Sequence, residues 1–200
     1  AGPSPTLLDP PGPAERPAAT DESREASGRR ASVLDRYDFD RPAYRVDLPG
    51  RLDEISGLAL SDDGRLFAHD DERARVHEID PTTGEVGKEF QLGQDVVRGD
   101  FEGIALVGER FFLVSSRGHL YEFREGEDGE DVVYRVTDAG VGAGCEVEGL
   151  DYDASDHALL LACKREGADP GFLVIRRLPV DPGAEPLPPI RVDRRGLRAV

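Results

Sequence analysis

Carboxylate side chains recur at fixed positions in three segments of the chain. Each segment ends in a glycine followed by an aliphatic residue, and Gly57, Gly103 and Gly149 are separated by 46 residues both times. Aligning the segments gives two columns, namely Glu54, Asp100 and Glu146, then Ser56, Glu102 and Glu148. Carboxylates held close together repel one another, and a divalent cation relieves that repulsion. Calcium takes roughly six to eight oxygen ligands in flexible geometry. The predicted metal ligands are therefore Glu54, Asp100, Glu102, Glu146 and Glu148. The alternative is that these acids cap strand ends or form hydrogen bonds to neighbouring blades without a metal.

Catalytic chemistry has one weak candidate. His69 stands beside Asp70 and Asp71 and could act as a general base in lactonase or phosphatase chemistry. The aligned positions hold Val114 and Ala162, so the imidazole belongs to one repeat, and a solvated histidine at a strand end is the favoured reading. The sequence has no Gly-x-Ser-x-Gly elbow, zinc-ligand spacing or phosphate-binding loop. The remaining histidines are predicted at the surface: His77, His119 and His157.

Two other groups of residues could form a site. Polar residues end the second strand of each repeat on the same side, and they are candidates to line a ligand mouth or are simply solvated: Asp70, Asp71, Ser115, Ser116 and Lys164. Cys145 and Cys163, the two cysteines of the chain, flank a predicted hairpin. In an oxidising compartment they could form a disulfide, and two free thiols are the alternative.

The elements that position these residues are short strands. A repeat of this length, dense in strand signals, predicts an all-β chain of β-propeller blades. Each repeat reads as an innermost strand, a hairpin turn, an apolar second strand, an alternating third strand and a polar outer strand. The predicted innermost strands are 55–60, 101–106 and 147–152, and the outer strands of the first two repeats are 86–92 and 132–136. Residues 44–49 read as a lone strand that completes another blade.

The repeats lie near residues 52–97, 98–143 and 144–193, which gives about three four-stranded blades. Propellers close with roughly four to eight blades. The arc is therefore interpreted as part of a six-bladed ring, either because this sequence is a piece of a longer chain or because two arcs close as a dimer. A full-length ring would be a monomer. Residues 1–40, rich in proline, alanine and serine, are predicted to be a disordered tail, and residues 41–200 to form the blades.

Charge and hydropathy narrow the class of partner. The formal net charge is −16, which excludes the basic stripe of a generic nucleic-acid-binding protein. No run of about 20 apolar residues is present, so no membrane span is predicted in this chain. The first residues, beginning at Ala1, suit an exported chain whose signal has been removed, and they equally suit an incomplete record.

The repeated segments resemble the SdiA-regulated family. The resemblance rests on Leu52 to Ala59, on Gly99 to Ala105 and on Glu146 to Asp153, and it covers about residues 44–193. It implies a six-bladed propeller of the bacterial envelope with no established catalytic activity, in a family that includes a calcium-regulated member. More distantly, Glu102-Gly and Glu148-Gly resemble the metal-binding Glu-Gly of gluconolactonase-type and phytase-like propellers. The proline that usually follows there is absent.

Three functions follow from these observations. The first is a non-enzymatic, envelope-associated propeller that binds calcium and presents its rim to a protein or small-molecule partner. The second is a metal-dependent hydrolase, a lactonase or phosphoesterase, in which Glu102 and Glu148 hold the cation. The third is an interaction scaffold whose acids bind no metal.

Overall fold

The computed structural model describes residues 38, 40–42, 45–141, 144–166 and 171–195. The chain divides into two units, Ala1–Tyr44 and Arg45–Val200. Nearly all of the predicted tail, residues 1–40, lies outside the described residues. The disorder of that segment therefore stays a prediction.

The described part of the second unit is all-β, with a 3-10 turn at Gly50–Leu52 before its first strand. Its strands form three sheets, each containing a meander of four antiparallel strands, and a short strand from later in the chain adds to the first sheet in parallel. The first sheet contains β1 (Ile55–Leu60), β2 (Leu66–Asp70), β3 (Arg75–Ile79), β4 (Val86–Leu92) and β8 (Asp131–Val132). The second contains β5 (Phe101–Val107), β6 (Arg110–Ser115), β7 (His119–Arg124) and β9 (Tyr134–Asp138). The third contains β10 (Cys145–Asp153), β11 (Ala158–Glu166), β12 (Phe172–Pro179) and β13 (Ile190–Asp193).

These sheets are three successive blades of a partial β-propeller, which confirms the predicted fold class. Two local predictions were wrong. The outer strand predicted at 132–136 is two strands, because the chain breaks at the exposed Val133: β8 joins the first blade in parallel with β4, and β9 closes the second. Residues 45–49 do not form a strand. Val46 and Leu48 instead lie close to the bare α-carbon of Gly84 at the β3–β4 turn.

Blade faces are apolar because the second strands are apolar on both sides. Between the first and second blades, Phe67, Phe90 and Phe111 pack edge to face, with ring centroids 5.0 Å apart for Phe67 and Phe111. Between the second and third blades, Phe112 and Val114 belong to the same buried cluster as Leu159. These two layers are the main core, since burial of such side chains stabilises the fold by roughly 1.5–3 kcal/mol each.

Ion pairs also join the first two blades at their outer part. Glu125, at the end of β7, accepts hydrogen bonds from both terminal nitrogens of Arg65, at 2.5 and 3.0 Å. The ammonium of Lys88 pairs with the same carboxylate. These groups are half-buried, and the paired cations lower the pKa of Glu125. The pairs therefore fix how the first blade sits against the second.

Candidate functional site at the innermost strands

The repeated glycines are the points where neighbouring innermost strands touch. A β-carbon on Gly103 would lie 2.4 Å from the backbone nitrogen of Leu150 in the next blade. One on Gly57 would lie 3.3 Å from the α-carbon of Gly103 and 2.6 Å from Nε2 of His69. At Gly149 the nearest atom is 3.8 Å away, on Ala162 of the same blade. The motif therefore allows close packing of backbones, and it places the neighbouring acidic residues of adjacent blades side by side.

Backbone hydrogen bonds repeat at the same place. The amide of Phe101 donates to the carbonyl of Asp71 across the first blade boundary, at 2.7 Å. The amide of Val147 donates to the carbonyl of Ser116 across the second, at 2.9 Å. Within their own blades, the backbone amides of Asp71 and Ser116 donate hydrogen bonds to the carbonyls of Glu54 and Asp100. The starts of the second and third innermost strands are thus tied to the end of the preceding blade's second strand.

The acidic columns meet at Glu102. Partial burial is the main cause that raises the pKa of Glu102 to about 7, and the charges of Asp100 and Glu148 raise it further. Lys164 offsets this charge, since its Nζ donates to Oε1 of Glu148 at 2.8 Å and lies 3.7 Å from Oε1 of Glu146. The hydrogen bond to Glu148 raises the pKa of Lys164. Asp100, Glu102 and Glu148 therefore interact electrostatically across the boundary between the second and third blades, and Lys164 links Glu148 to Glu146.

Glu54 is the fifth predicted ligand, and its carboxylate is exposed at the start of the first blade. In the part of the chain that the structure describes, no three His, Cys, Asp or Glu side chains already surround a point where a metal ion would fit. Calcium binding stays a prediction.

His69 is fully buried, so the expectation of a solvated histidine was wrong. The residue lies on β2 between the first two blades, in contact with Gly57. Its Nδ1 is 2.8 Å from the carbonyl oxygen of Asp70. Because a carbonyl only accepts, Nδ1 carries the proton, and Nε2 is an unprotonated nitrogen that is buried with no hydrogen-bond partner. This enclosure removes His69 as a base for an external substrate.

His77 is also buried, which contradicts its predicted place at the surface. Its two ring nitrogens lie 3.4 Å from Oδ1 of Asp70 and 3.2 Å from Oε2 of Glu89. The alternation of β3 carries no signal of this pairing, because the acids that enclose the ring come from β2 and β4. His119 and His157 are exposed, as predicted.

Acid is expected to destabilise the protein through His69. Burial lowers the pKa of His69, so the unfolded chain takes up the proton first, and stability is lost as the pH falls below about 6.5, the usual histidine value. His69→Val introduces the residue type found at Val114. It should reduce the difference in urea midpoint between pH values of about 7.5 and 5.5. The same exchange at the exposed His119 should leave that difference unchanged. An equal effect of the two exchanges would contradict this assignment.

The predicted ligand mouth is only partly open. Asp70 and Ser115 are buried. The hydroxyl of Ser115 accepts a hydrogen bond from the backbone amide of His119 at 3.2 Å. Asp71 and Ser116 are half-buried, and Lys164 is exposed. Oδ1 of Asp71 is buried without a hydrogen-bond partner. The surface available to a ligand at these strand ends therefore consists of Asp71, Ser116 and Lys164.

Cys145 and Cys163 form a disulfide between β10 and β11, with 2.01 Å between the sulfurs and 5.1 Å between the α-carbons. Both are buried in the cluster between the second and third blades. Cys163 directly precedes Lys164. The bridge thus holds the start of β10, where Glu146 and Glu148 stand, against the strand that carries their counter-ion.

Two cavities lie away from the acidic innermost strands. One of about 530 Å³ follows the proline-rich connection between β12 and β13, and one of about 710 Å³ borders β9. Among the described residues, no helix is long and apolar enough to cross a bilayer.

Comparison with known proteins names no family for this chain. No family model matches the chain, and no curated protein matches it. Solved structures that match include the glutaminyl cyclase of Myxococcus xanthus, at 18% identity and a TM-score of 0.43, covering 70% of this chain and 51% of that one. The Cps50 (Swd1) β-propeller domain of Myceliophteria thermophila matches at 12% identity and 0.43, covering 76% and 50%. Hsv2 of Kluyveromyces lactis matches at 13% and 0.41, covering 70% and 46%. The chain spans about half the length of these structures.

Proposed function

We propose that this chain is part of a non-enzymatic β-propeller of the bacterial envelope, which binds calcium at its innermost strands and a partner at its rim. The observation that carries the proposal is the surplus of negative charge around Glu102. Burial is the largest cause that raises the pKa of Glu102, and the charges of Asp100 and Glu148 raise it further. A divalent cation would remove the cost of ionising all three, and carboxylates are its preferred ligands.

Lys164 supports the calcium proposal because its ammonium group is a cation that already lies against the carboxylates of the third blade. Its ammonium already contacts Glu148 and lies near Glu146. The side chain is exposed, and exposed ion pairs of this kind are weak, so a stronger cation would displace it. A divalent ion would therefore compete with Lys164 for the carboxylates of the third blade.

Location in the envelope is supported by two further observations. A disulfide such as Cys145–Cys163 persists in oxidising compartments, including the bacterial periplasm. The repeated segments also resemble the SdiA-regulated family, whose members include an envelope protein. The rim that remains for a partner is formed by Asp71, Ser116 and Lys164.

Calcium affinity is expected to rise about tenfold between pH 6 and pH 8, because Glu102 with a pKa near 7 must lose its proton to bind the ion. Glu102→Gln should weaken binding at pH 8 by roughly tenfold or more and should make the remaining affinity almost independent of pH. Isothermal titration calorimetry with calcium chloride at both pH values measures this.

The matched control is Glu85→Gln, the same exchange at an exposed residue of the β3–β4 turn. It should bind calcium as the wild type does. Absence of calcium binding in the wild type at pH 8 would refute the metal site and favour the metal-free scaffold.

A hydrolase is the second candidate, and the same carboxyl favours it. A glutamate with a pKa of about 7 suits a general acid or base at neutral pH. Lactones and phosphomonoesters assayed with and without calcium test this. Turnover that Glu102→Gln abolishes and Glu85→Gln preserves would establish the enzyme over the binding protein.

A further inference from the structure

The third blade carries a long, exposed connection before its outer strand. The connection spans residues 180–189 between β12 and β13, whereas its counterpart in the first blade, between β3 and β4, spans residues 80–85 and is a tight turn. A few residues suffice to join two antiparallel strands. Most of the connection is therefore not needed to complete the blade. Its composition is also unusual, because it contains four prolines: Pro182, Pro186, Pro188 and Pro189.

Both ends of this connection are fixed. At its start, the backbone amide of Ala184 donates to the carbonyl of Asp181 at 3.2 Å, and Gly183 has a φ of 80°. This is the geometry of a type II turn with proline at its second position. At its other end, β13 pairs with β12 from Ile190 onward. The intervening residues 185–189 are thus held between a turn and a strand.

Residues 185–189 are restricted to the extended polyproline II conformation. Three of these five residues are prolines, whose rings fix φ at about −65°. Glu185, Leu187 and Pro188 each precede a proline, which disfavours the helical region of the backbone. The segment forms no helix, strand or turn, and no cis peptide bond occurs among the described residues. A polyproline II helix makes no internal hydrogen bonds, so its carbonyl groups can accept hydrogen bonds from a partner.

Leu187 anchors the segment to the blade and leaves its prolines at the surface. The side chain of Leu187 is half-buried and borders the cavity of about 530 Å³ that Leu161 also lines. A polyproline II helix has about three residues per turn, so Pro186 and Pro189 lie one turn apart on a different edge from Leu187. Both prolines are exposed, and so is Pro188. The segment therefore presents two proline rings at the spacing of one helical turn.

We infer that residues 185–189 are a docking segment for a protein domain that binds polyproline II helices in an aromatic-lined groove. Such grooves recognise a Pro-x-x-Pro spacing, which Pro186 and Pro189 supply here. A segment that is already ordered loses little entropy on binding, and the fixed ends and the anchored Leu187 reduce that loss further. The segment is separate from the acidic innermost strands, so the inference goes beyond the proposed calcium binding and does not depend on it.

The first test is titration of the full chain into purified, isotope-labelled SH3, WW and EVH1 domains in the presence of EDTA, followed by the NMR chemical shifts of each domain. At least one domain should bind through its aromatic groove with a Kd below about 1 mM. A proline-rich peptide that occupies that groove should displace the chain. Absence of binding to every domain, or binding that the peptide does not displace, would overturn the inference and would leave the calcium proposal standing.

The second test exchanges three exposed prolines of the connection one at a time. Pro186→Ala and Pro189→Ala should each weaken binding by about tenfold, because each removes a ring from the recognised edge. Pro182→Ala, in the turn before the segment, should bind as the wild type does. Urea unfolding of the three variants checks that each of them folds. Equal affinities for the three variants would show that these prolines serve the blade alone and would overturn the proposed docking segment.

Discussion

Gly103→Ala is expected to destabilise the protein by about 3 kcal/mol or more. The added methyl group would lie 2.4 Å from the backbone nitrogen of Leu150 and 2.7 Å from its β-carbon. Backbone atoms of a neighbouring strand cannot move aside as a flexible side chain can, so the second and third blades must separate. The hydrogen bond from the amide of Val147 to the carbonyl of Ser116 spans the same boundary and would be strained as well.

Urea unfolding followed by circular dichroism measures this effect. Gly87→Ala is the matched control, because a β-carbon there meets nothing within 4 Å. It is expected to change the free energy of unfolding by less than about 1 kcal/mol. Equal unfolding midpoints for the two variants would show that the innermost strands are not packed through Gly103.

Loss of the disulfide is expected to lower the free energy of unfolding by about 3 kcal/mol. Cys145 and Cys163 are 18 residues apart, and a closed loop of that size restricts the unfolded chain by this amount. The loss should be largest in the third blade, where β10 and β11 carry the two sulfurs. Urea unfolding of the oxidised protein, with and without dithiothreitol, measures it.

The double variant Cys145→Ala, Cys163→Ala serves as the control. Alanine keeps the buried positions apolar, so the variant should unfold near the midpoint of the reduced wild type and should not respond to dithiothreitol. A wild-type midpoint that dithiothreitol leaves unchanged would contradict a stabilising bridge.

The fold was largely predictable because each strand carries its own signal. Alternation and apolar runs gave Ile55–Leu60 and Val86–Leu92 with their bounds, and the Asp63-Gly64 turn predicted the first hairpin, where Gly64 has a φ of 88°. Pairing between distant strands leaves no such signal. The short β8 joins β4 across 40 residues of chain, and only the folded arrangement shows that Gln91 pairs with Asp131.

The sequence predicts which residues belong to the site, but it does not predict how deeply each of them is buried. Regular spacing predicts that Asp100, Glu102 and Glu148 lie near one another, and burial together with the charges of Asp100 and Glu148 raises the pKa of Glu102, whereas metal binding by these residues stays a prediction. Burial depends on what the next blade covers, which the sequence does not state. His69 was therefore expected in solvent and lies in the core. Lys164 is exposed at the predicted ligand mouth, and its pairing with Glu148 is a contact that the spacing alone does not give.

The pairing of β8 with β4 has a consequence for biosynthesis. During translation the first blade leaves the ribosome before residues 131 and 132 are synthesised. The outer edge of that blade therefore has no strand paired to it while the second blade is made. Glu125, whose carboxylate pairs with Arg65 and Lys88, is also synthesised well after those two residues. The first blade therefore reaches its final form only when the second is nearly complete, and the two are expected to fold as one cooperative unit during translation.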